Sequence, residues 1–178
     1  MEMNGLAALR CWPVAVELGD IVCTIPPRPA LAWLLPIIDQ DWLEIVPGML
    51  DSVDSTVDRL LAEHLISAED CAVAARDAVS TATGMPWWSA VRLALAIVDT
   101  PEIAAELLLC RIDFEMISIG GLVQAVYRLL VREADTKQRS KIDSQLRQPP
   151  EGIGPKRYDP NVAADLFEQM ARSRGLSA

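Results

Sequence analysis

The residues whose types suit catalysis are few and far apart in the chain. Two carboxylate pairs, Asp39 with Asp41 and Glu102 with Glu106, have a spacing that suits binding of a hard cation or acid-base chemistry. His64 is the single histidine and lies in an amphipathic pattern without a nucleophile motif nearby. The sequence carries neither a phosphate-binding glycine loop nor a nucleophile elbow. We therefore expect a protein that is not an enzyme, without catalytic, cofactor-binding or metal residues. A hydrolase that uses these four carboxylates is the alternative.

The cysteines indicate a reducing compartment. Cys11, Cys23, Cys71 and Cys110 are widely spaced and form no C-x-x-C motif, so a zinc site has no local signature. The first residues carry Glu2 and lack the apolar run of a secretory signal. We expect four reduced cysteines in the core of a cytoplasmic protein.

Charge is unevenly distributed along the 178 residues, whose net charge is −9. Residues 1–127 hold 6 basic and 18 acidic side chains, whereas residues 128–178 hold 10 basic and 7 acidic ones. An acidic chain is poorly suited to nucleic acid, which is bound largely by neutralising phosphates. The longest uncharged stretch, 14 residues from Ala78 to Val91, is shorter than the roughly 20 needed to span a bilayer. Neither nucleic acid nor a membrane is an expected partner.

The N-terminal pattern predicts a β-hairpin. Pro13 to Leu18 alternates between apolar and polar positions, Gly19-Asp20 is a turn signal, and Ile21 to Ile25 is β-branched. Three prolines follow, and because proline cannot donate a ladder hydrogen bond, they end the sheet. The rest of the pattern is helical. We therefore predict a mainly α (α+β) fold in which a short hairpin precedes a bundle of about six helices.

Caps and prolines mark the helix boundaries. Ser67 and Ser118 are expected N-caps, Pro86 and Pro101 are expected in first turns, and Gly84 is expected to end a helix. Apolar spacing then predicts the faces that turn toward the core. The three predicted stripes are Val53, Val57, Leu60, Leu61 and Leu65; Trp87, Val91, Ala94, Leu95 and Val98; and Ile119, Leu122, Val123, Val126 and Leu130. Gly120-Gly121 allows a neighbouring element to approach closely.

The C-terminal part has a different composition. Residues 135–147 are highly charged and offer only Ile142 and Leu146 as apolar anchors, which predicts a peripheral helix. We predict a mainly helical domain with the hairpin over 1–148. A linker and a loosely attached tail helix follow over 149–178, with the helix from Asn161 to Arg172.

Tryptophan is used more than the other aromatic residues, with five Trp against two Phe and two Tyr. Trp87 and Trp88 are adjacent, so on a helix they lie about 100° apart and cannot both enter one narrow seam. Core packing is one interpretation, and contact with a partner is the other.

An ordered series of short motifs carries a family resemblance. VELGD leads into IPP at 16–27, and TGMPWWSAVRL follows at 83–93. CRIDFEMIS at 110–118, GLVQAVY at 121–127 and DTKQRSKIDSQLRQPP at 135–150 continue the series. Over most of its length, the chain resembles the tail assembly chaperones of long-tailed (siphovirus) actinobacteriophages.

The resemblance implies a function without catalysis. Such a protein is encoded between the tail tube and tape measure genes, binds the tape measure protein and keeps it competent for tail tube polymerisation. The resemblance further implies a longer, frameshifted form of the chain. We expect the basic region beyond Arg128 to contact acidic subunits of the tail tube protein or to extend into that longer form. It places the protein in the host cell cytoplasm and outside the mature virion. The alternative is a structural head-tail connector or tail terminator component.

The residues themselves suggest where a partner binds. A tape measure protein is a very long helical chain whose apolar stripe is exposed until the tube forms, so a chaperone needs an apolar surface with a charged rim. We expect that surface on two helices, with the acidic residues of 1–127 as its rim. The predicted contact residues are Trp87, Trp88, Val91, Leu122, Val126 and Leu130.

Overall fold

The computed structural model of the chain describes residues 11–49 and 56–150. These residues form two strands and eight helices, three of which have fewer than ten residues. The elements are β1 (Val14–Leu18), β2 (Ile21–Ile25), α1 (Ala30–Asp39), α2 (Trp42–Met49), α3 (Thr56–Ala62), α4 (Ala68–Thr83), α5 (Trp87–Asp99), α6 (Pro101–Leu109), α7 (Ile119–Val131) and α8 (Thr136–Arg147). The predicted fold class, mainly helical with an N-terminal hairpin, is confirmed.

The hairpin forms as its sequence predicts. β1 and β2 pair antiparallel, from Val14 opposite Ile25 to Leu18 opposite Ile21. Gly19 adopts a left-handed conformation with φ 59°, which a residue without Cβ does at little cost and which closes the tight turn. Residues of β1 are alternately buried and exposed, and β1 packs on α4. The hairpin therefore covers one side of the helical core.

Helix α4 lies at the centre of the packing, in contact with β1, α2, α5 and α7. Ser67 and Asp70 form a capping box, in which the Ser67 hydroxyl accepts from the Asp70 backbone N–H at 3.1 Å and the Asp70 carboxylate accepts from the Ser67 N–H at 2.7 Å. Gly84 ends the helix in a left-handed conformation, with φ 69°. The sequence predicted both ends. The buried face consists mostly of small side chains: Cys71, Ala74, Ala75, Ala78, Val79 and Thr83.

Small residues also let α7 approach α4 closely. A Cβ at Gly120 would lie 2.9 Å from the carbonyl oxygen of Ala82, closer than real Cβ contacts allow. Ser118 caps α7, since its hydroxyl accepts a hydrogen bond from the Gly121 N–H at 3.1 Å. The predicted cap and the predicted close approach are both confirmed.

The predicted apolar faces are partly wrong. In α5 the buried face includes Leu93 and Ile97, whereas Val98 is exposed, so the face is rotated from the predicted one. Leu65 is exposed because α3 ends at Ala62 and the chain turns at His64, whose φ is 56°. The stripe of α7 is buried from Ile119 to Val126, and Leu130 is half-buried. Val53 lies outside the described residues.

Helix α8 is peripheral, as its charge predicts, and each of its residues is exposed or half-buried. The Ser89 hydroxyl donates to the carbonyl of Leu146 at 2.6 Å, and the Tyr127 hydroxyl donates to the Asp143 carboxylate at 2.7 Å. The guanidinium of Arg92 donates to the carbonyl of Gln145. The last carbonyls of the helix are thus capped by side chains of α5.

The compact unit that contains these elements ends at Arg147. Of the predicted linker and tail over 149–178, the structure describes Pro149 and Pro150, and the predicted tail helix lies outside the described residues. Within 11–49 and 56–150, each helix is too short or too polar to cross a membrane.

The cysteines lie in different environments. All four belong to the described residues and are free thiols, and Cys71 is buried in α4. Cys11 and Cys23 are half-buried. Cys110 is exposed because α6 ends at Leu109 and the left-handed conformation of Arg111, φ 54°, turns the chain away. The prediction of four core cysteines is therefore wrong for Cys110.

Candidate protein-interaction surface

Three of the six predicted contact residues lie in the core. Leu122 and Val126 are 0% exposed and Val91 is 6% exposed. They occupy the faces through which α5 and α7 pack within this chain, so a partner cannot reach them in this structure. Trp87, Trp88 and Leu130 are half-buried. The six residues therefore do not form one exposed surface.

Trp87 and Trp88 instead belong to a cluster that also includes Trp42 of α2 and Arg76 of α4, which we call the aromatic cluster. The rings of Trp42 and Trp87 meet edge to face with centroids 5.0 Å apart, and those of Trp87 and Trp88 do so at 5.7 Å. The backbone N–H of Trp87 donates to the Ser80 hydroxyl at 3.0 Å, which fixes the start of α5 against α4.

Arg76 adds a cation to this cluster. Its guanidinium carbon lies 5.6 Å from the centroid of the Trp42 ring and 5.2 Å from that of Trp87, within cation–π range of both. Within the described part of the chain, the buried Nε of Arg76 and the buried indole Nε1 of Trp88 lack hydrogen-bond partners. Buried donors in that condition are costly and uncommon.

Sequence reasoning missed Trp42 and Arg76 as members of the site. The spacing between residues 42, 76 and 87 carries no local signal, because packing of α2 and α4 brings them together. The available signal was Arg76 itself, the single basic residue in an alanine-rich helix.

Exposed apolar side chains occur near the aromatic cluster. Val73 is 49% exposed and precedes Arg76 by three residues on α4, so the two side chains share a helix face. Leu43, next to Trp42 in α2, is also exposed. Val73 therefore extends apolar surface along the Arg76 face of α4, and Leu43 exposes further apolar area one residue from Trp42.

A second apolar region lies where α6 ends. Leu108 and Leu109 are 70% and 77% exposed, and Met116 in the following loop is also exposed. The backbone N–H of Leu31 donates to the carbonyl of Phe114 at 3.1 Å, so this loop adjoins the start of α1.

Leu130 lies between two open depressions beside the C-terminal half of α7. One has a volume of about 290 Å³ and lies toward α6; the other has a volume of about 460 Å³ and lies toward α8. Leu130 and Glu133 line both. We call the two depressions together the α7 groove.

The carboxylate pairs are placed on the surface. Asp39 and Asp41 are exposed, as is Glu102. Glu106 accepts a hydrogen bond from Arg132 at 3.0 Å, and this bond and the guanidinium charge lower the pKa of Glu106. In the described ranges, no group of three or more His, Cys, Asp or Glu side chains is placed to hold a metal ion.

Comparison with known proteins identified no relative of this chain. No protein-family model, no curated protein and no solved structure matches the chain. Tryptophan and arginine are the side chains most enriched at energetically important contacts, and here they are combined in one half-buried cluster. Such a surface is chemically suited to binding another protein.

Proposed function

We propose that this protein is a phage tail assembly chaperone, which binds the tape measure protein in the host cell cytoplasm and keeps it soluble for tail tube polymerisation. The observation that carries the proposal is the half-buried aromatic cluster of Trp42, Arg76, Trp87 and Trp88. Two of its members, Trp87 and Trp88, lie in the TGMPWWSAVRL motif on which the resemblance rests.

The cluster has the chemistry that an amphipathic helix requires. A helix with an exposed apolar stripe is kept in solution when that stripe is covered by another apolar surface. Indole rings supply large apolar area, and Val73 extends that area on the same face of α4. Asp77 follows Arg76 in the sequence and is exposed, so α4 carries an acidic group one residue from the cluster. Under this proposal the tail tube protein and a longer form of the chain are further partners.

Co-expression of the full chain with its tape measure protein tests the proposal. We expect most of the tape measure protein in the soluble fraction when the chaperone is present and little of it when the chaperone is absent. Val73→Gln should reduce the soluble fraction by at least about half, because it replaces exposed apolar surface beside the cluster. Val98→Gln is the matched control, since Val98 is exposed on α5 and lies outside the cluster.

Two results would contradict the proposal. In one, the tape measure protein is equally insoluble with and without this chain. In the other, peptides of this chain are abundant in purified virions, which is the result expected of a connector or terminator that remains in the particle.

A further inference from the structure

The α7 groove has an apolar floor on both sides of Leu130. Toward α6 the floor is formed by Ile103, which is buried, and by the half-buried Leu129. Toward α8 it is formed by Ala134 and Ile142, both half-buried. Each depression is large enough for an apolar side chain of a partner, and Leu130 forms the ridge between them.

The rim of the groove is acidic on the side of α6. Glu102, Glu106 and Glu133 line that depression, and Arg132 is the one cation among its described lining residues. Arg132 lies 3.0 Å from Glu106 and 3.7 Å from Glu133, so its charge is already matched. Three carboxylates therefore line this depression against one guanidinium. The last carbonyls of α7 add partial negative charge at the same end of the groove.

The rim on the side of α8 differs. There Lys141 faces the depression together with the neutral side chains of Gln138 and Gln145, and Glu133 is the carboxylate among the described lining residues. Glu133 lines both depressions, so the charged lining residues of the whole groove leave one carboxylate in excess, and Glu102 and Glu106 place that excess on the side of α6. The charge asymmetry across the groove therefore favours an occupant of positive charge and also fixes which flank of that occupant faces α6.

We infer that the α7 groove binds an amphipathic helix of a partner protein, with apolar side chains in both depressions and Lys or Arg along the flank that faces α6. This inference rests on the proposed function for the identity of the partner. If the partner is the tape measure protein, the bound segment is a helix with an apolar stripe and one basic flank. It concerns a surface separate in sequence and position from the aromatic cluster.

Synthetic peptides test the inference on the full chain. The probe is a helix of about 18 residues built from Leu, Lys, Ala and Gln, long enough to form on its own, with Leu at i, i+4 spacing and Lys on one flank. Its pair carries Glu in place of Lys. Fluorescence anisotropy of the labelled peptides gives the two dissociation constants. We expect the Lys peptide to bind at least about 10-fold more tightly, with the difference shrinking as salt is added.

Variants assign that preference to the groove. The double substitution Glu102→Gln and Glu133→Gln should reduce the preference for the Lys peptide to less than about 3-fold. Glu17→Gln with Glu63→Gln is the matched control, because it removes two exposed carboxylates outside the groove and should keep the preference. Circular dichroism of each variant establishes that the helical fold is retained.

Three outcomes overturn the inference: equal binding of the two peptides, an equal loss of preference in the control variant, or a dimer of this chain that the groove variant dissociates. The third makes a second copy the occupant. The chaperone proposal is judged separately by co-expression. If the chain keeps the tape measure protein soluble but binds the two peptides equally, the inference about the α7 groove is wrong and the proposed chaperone function stands.

Discussion

Gly120 lets α7 pack closely against α4 because it has no Cβ. A Cβ there would lie 2.9 Å from the Ala82 carbonyl oxygen, a backbone atom of α4 that cannot rotate away. We expect Gly120→Ala to lower the free energy of unfolding by at least about 1 kcal/mol, because overpacking by about 1–3 kcal/mol exceeds the helix propensity gained. Urea denaturation of the full chain measures this change in the free energy of unfolding.

Gly48 in α2 provides the matched control for that substitution. A Cβ at Gly48 meets nothing within 4 Å. Gly48→Ala should therefore raise the free energy of unfolding by at most about 0.5–1 kcal/mol, because Gly48 is the penultimate residue of α2 and helix propensity counts fully only in a helix interior. If both substitutions stabilise the protein to the same degree, α4 and α7 are farther apart than the structure shows.

The capping box at Ser67 makes a second prediction at the scale of residues. Ser67→Ala should destabilise the protein by about 1 kcal/mol near neutral pH, because the Asp70 N–H loses its acceptor. Hydrogen bonds from the Ser67 hydroxyl and backbone N–H lower the pKa of the Asp70 carboxyl. The urea midpoint of each protein at several pH values measures the difference.

The pH dependence of that difference has a definite sign. Because the folded-state pKa of Asp70 lies below the unfolded value, its contribution is complete above the ordinary carboxyl pKa of about 3.9 and disappears as pH falls through the folded-state pKa. The stability lost on Ser67→Ala should therefore shrink as the medium is acidified below about pH 4. A loss that is the same at every pH would show that the Asp70 carboxylate is not held by Ser67.

At the scale of elements, the helix ends were predictable and the faces were less so. Ser67, Gly84 and Ser118 fix their helix ends through contacts within four residues, and such contacts are legible in a sequence. The sequence predicted that Leu122 and Val126 lie on an apolar face of α7. It did not predict which element packs against that face. An apolar stripe has the same spacing whether it packs in its own chain or against a partner. Long-range packing therefore decides whether the stripe is buried in the core or left for a partner.

The candidate site was predictable to a similar extent. The sequence indicated that Trp87 and Trp88, about 100° apart on a helix, would not both enter one narrow seam, whereas in the structure their rings contact each other edge to face. Their contacts with Trp42 and Arg76 depend on how α2 and α4 dock, which no local spacing encodes. The α7 groove likewise depends on three helices meeting around Leu130.

Helix α8 makes a prediction at the scale of elements. It depends on polar contacts such as those from Ser89 and Tyr127. Removing both by Ser89→Ala with Tyr127→Phe should accelerate amide exchange in α8 about 10-fold or more, since each bond contributes about 1 kcal/mol. Exchange in α4 should stay unchanged. Ser140→Ala, an exposed position on α8, serves as the control, and equal acceleration in it would contradict the assigned contacts.

At the scale of the whole molecule, charge opposes self-association through exposed apolar groups. The chain carries a net charge of −9 at pH 7. We expect repulsion of that size to oppose association of copies through the exposed Leu108, Leu109 and Met116. The repulsion vanishes where the net charge reaches zero, near the isoelectric point of about 4.6. Electrostatic repulsion then no longer opposes apolar contacts between copies.

We therefore expect light scattering by the folded protein to rise as pH is lowered from 7 toward 4.6 and to fall again when pH 7 is restored. Leu108→Gln with Leu109→Gln should lower the scattering at its maximum without moving the pH of that maximum, because the substitutions remove apolar surface and leave every charge in place. Circular dichroism recorded alongside separates association of the folded chain from unfolding. Unchanged scattering over this pH range would mean that charge does not hold the copies apart, and an equal rise in the variant would place the contact elsewhere on the surface.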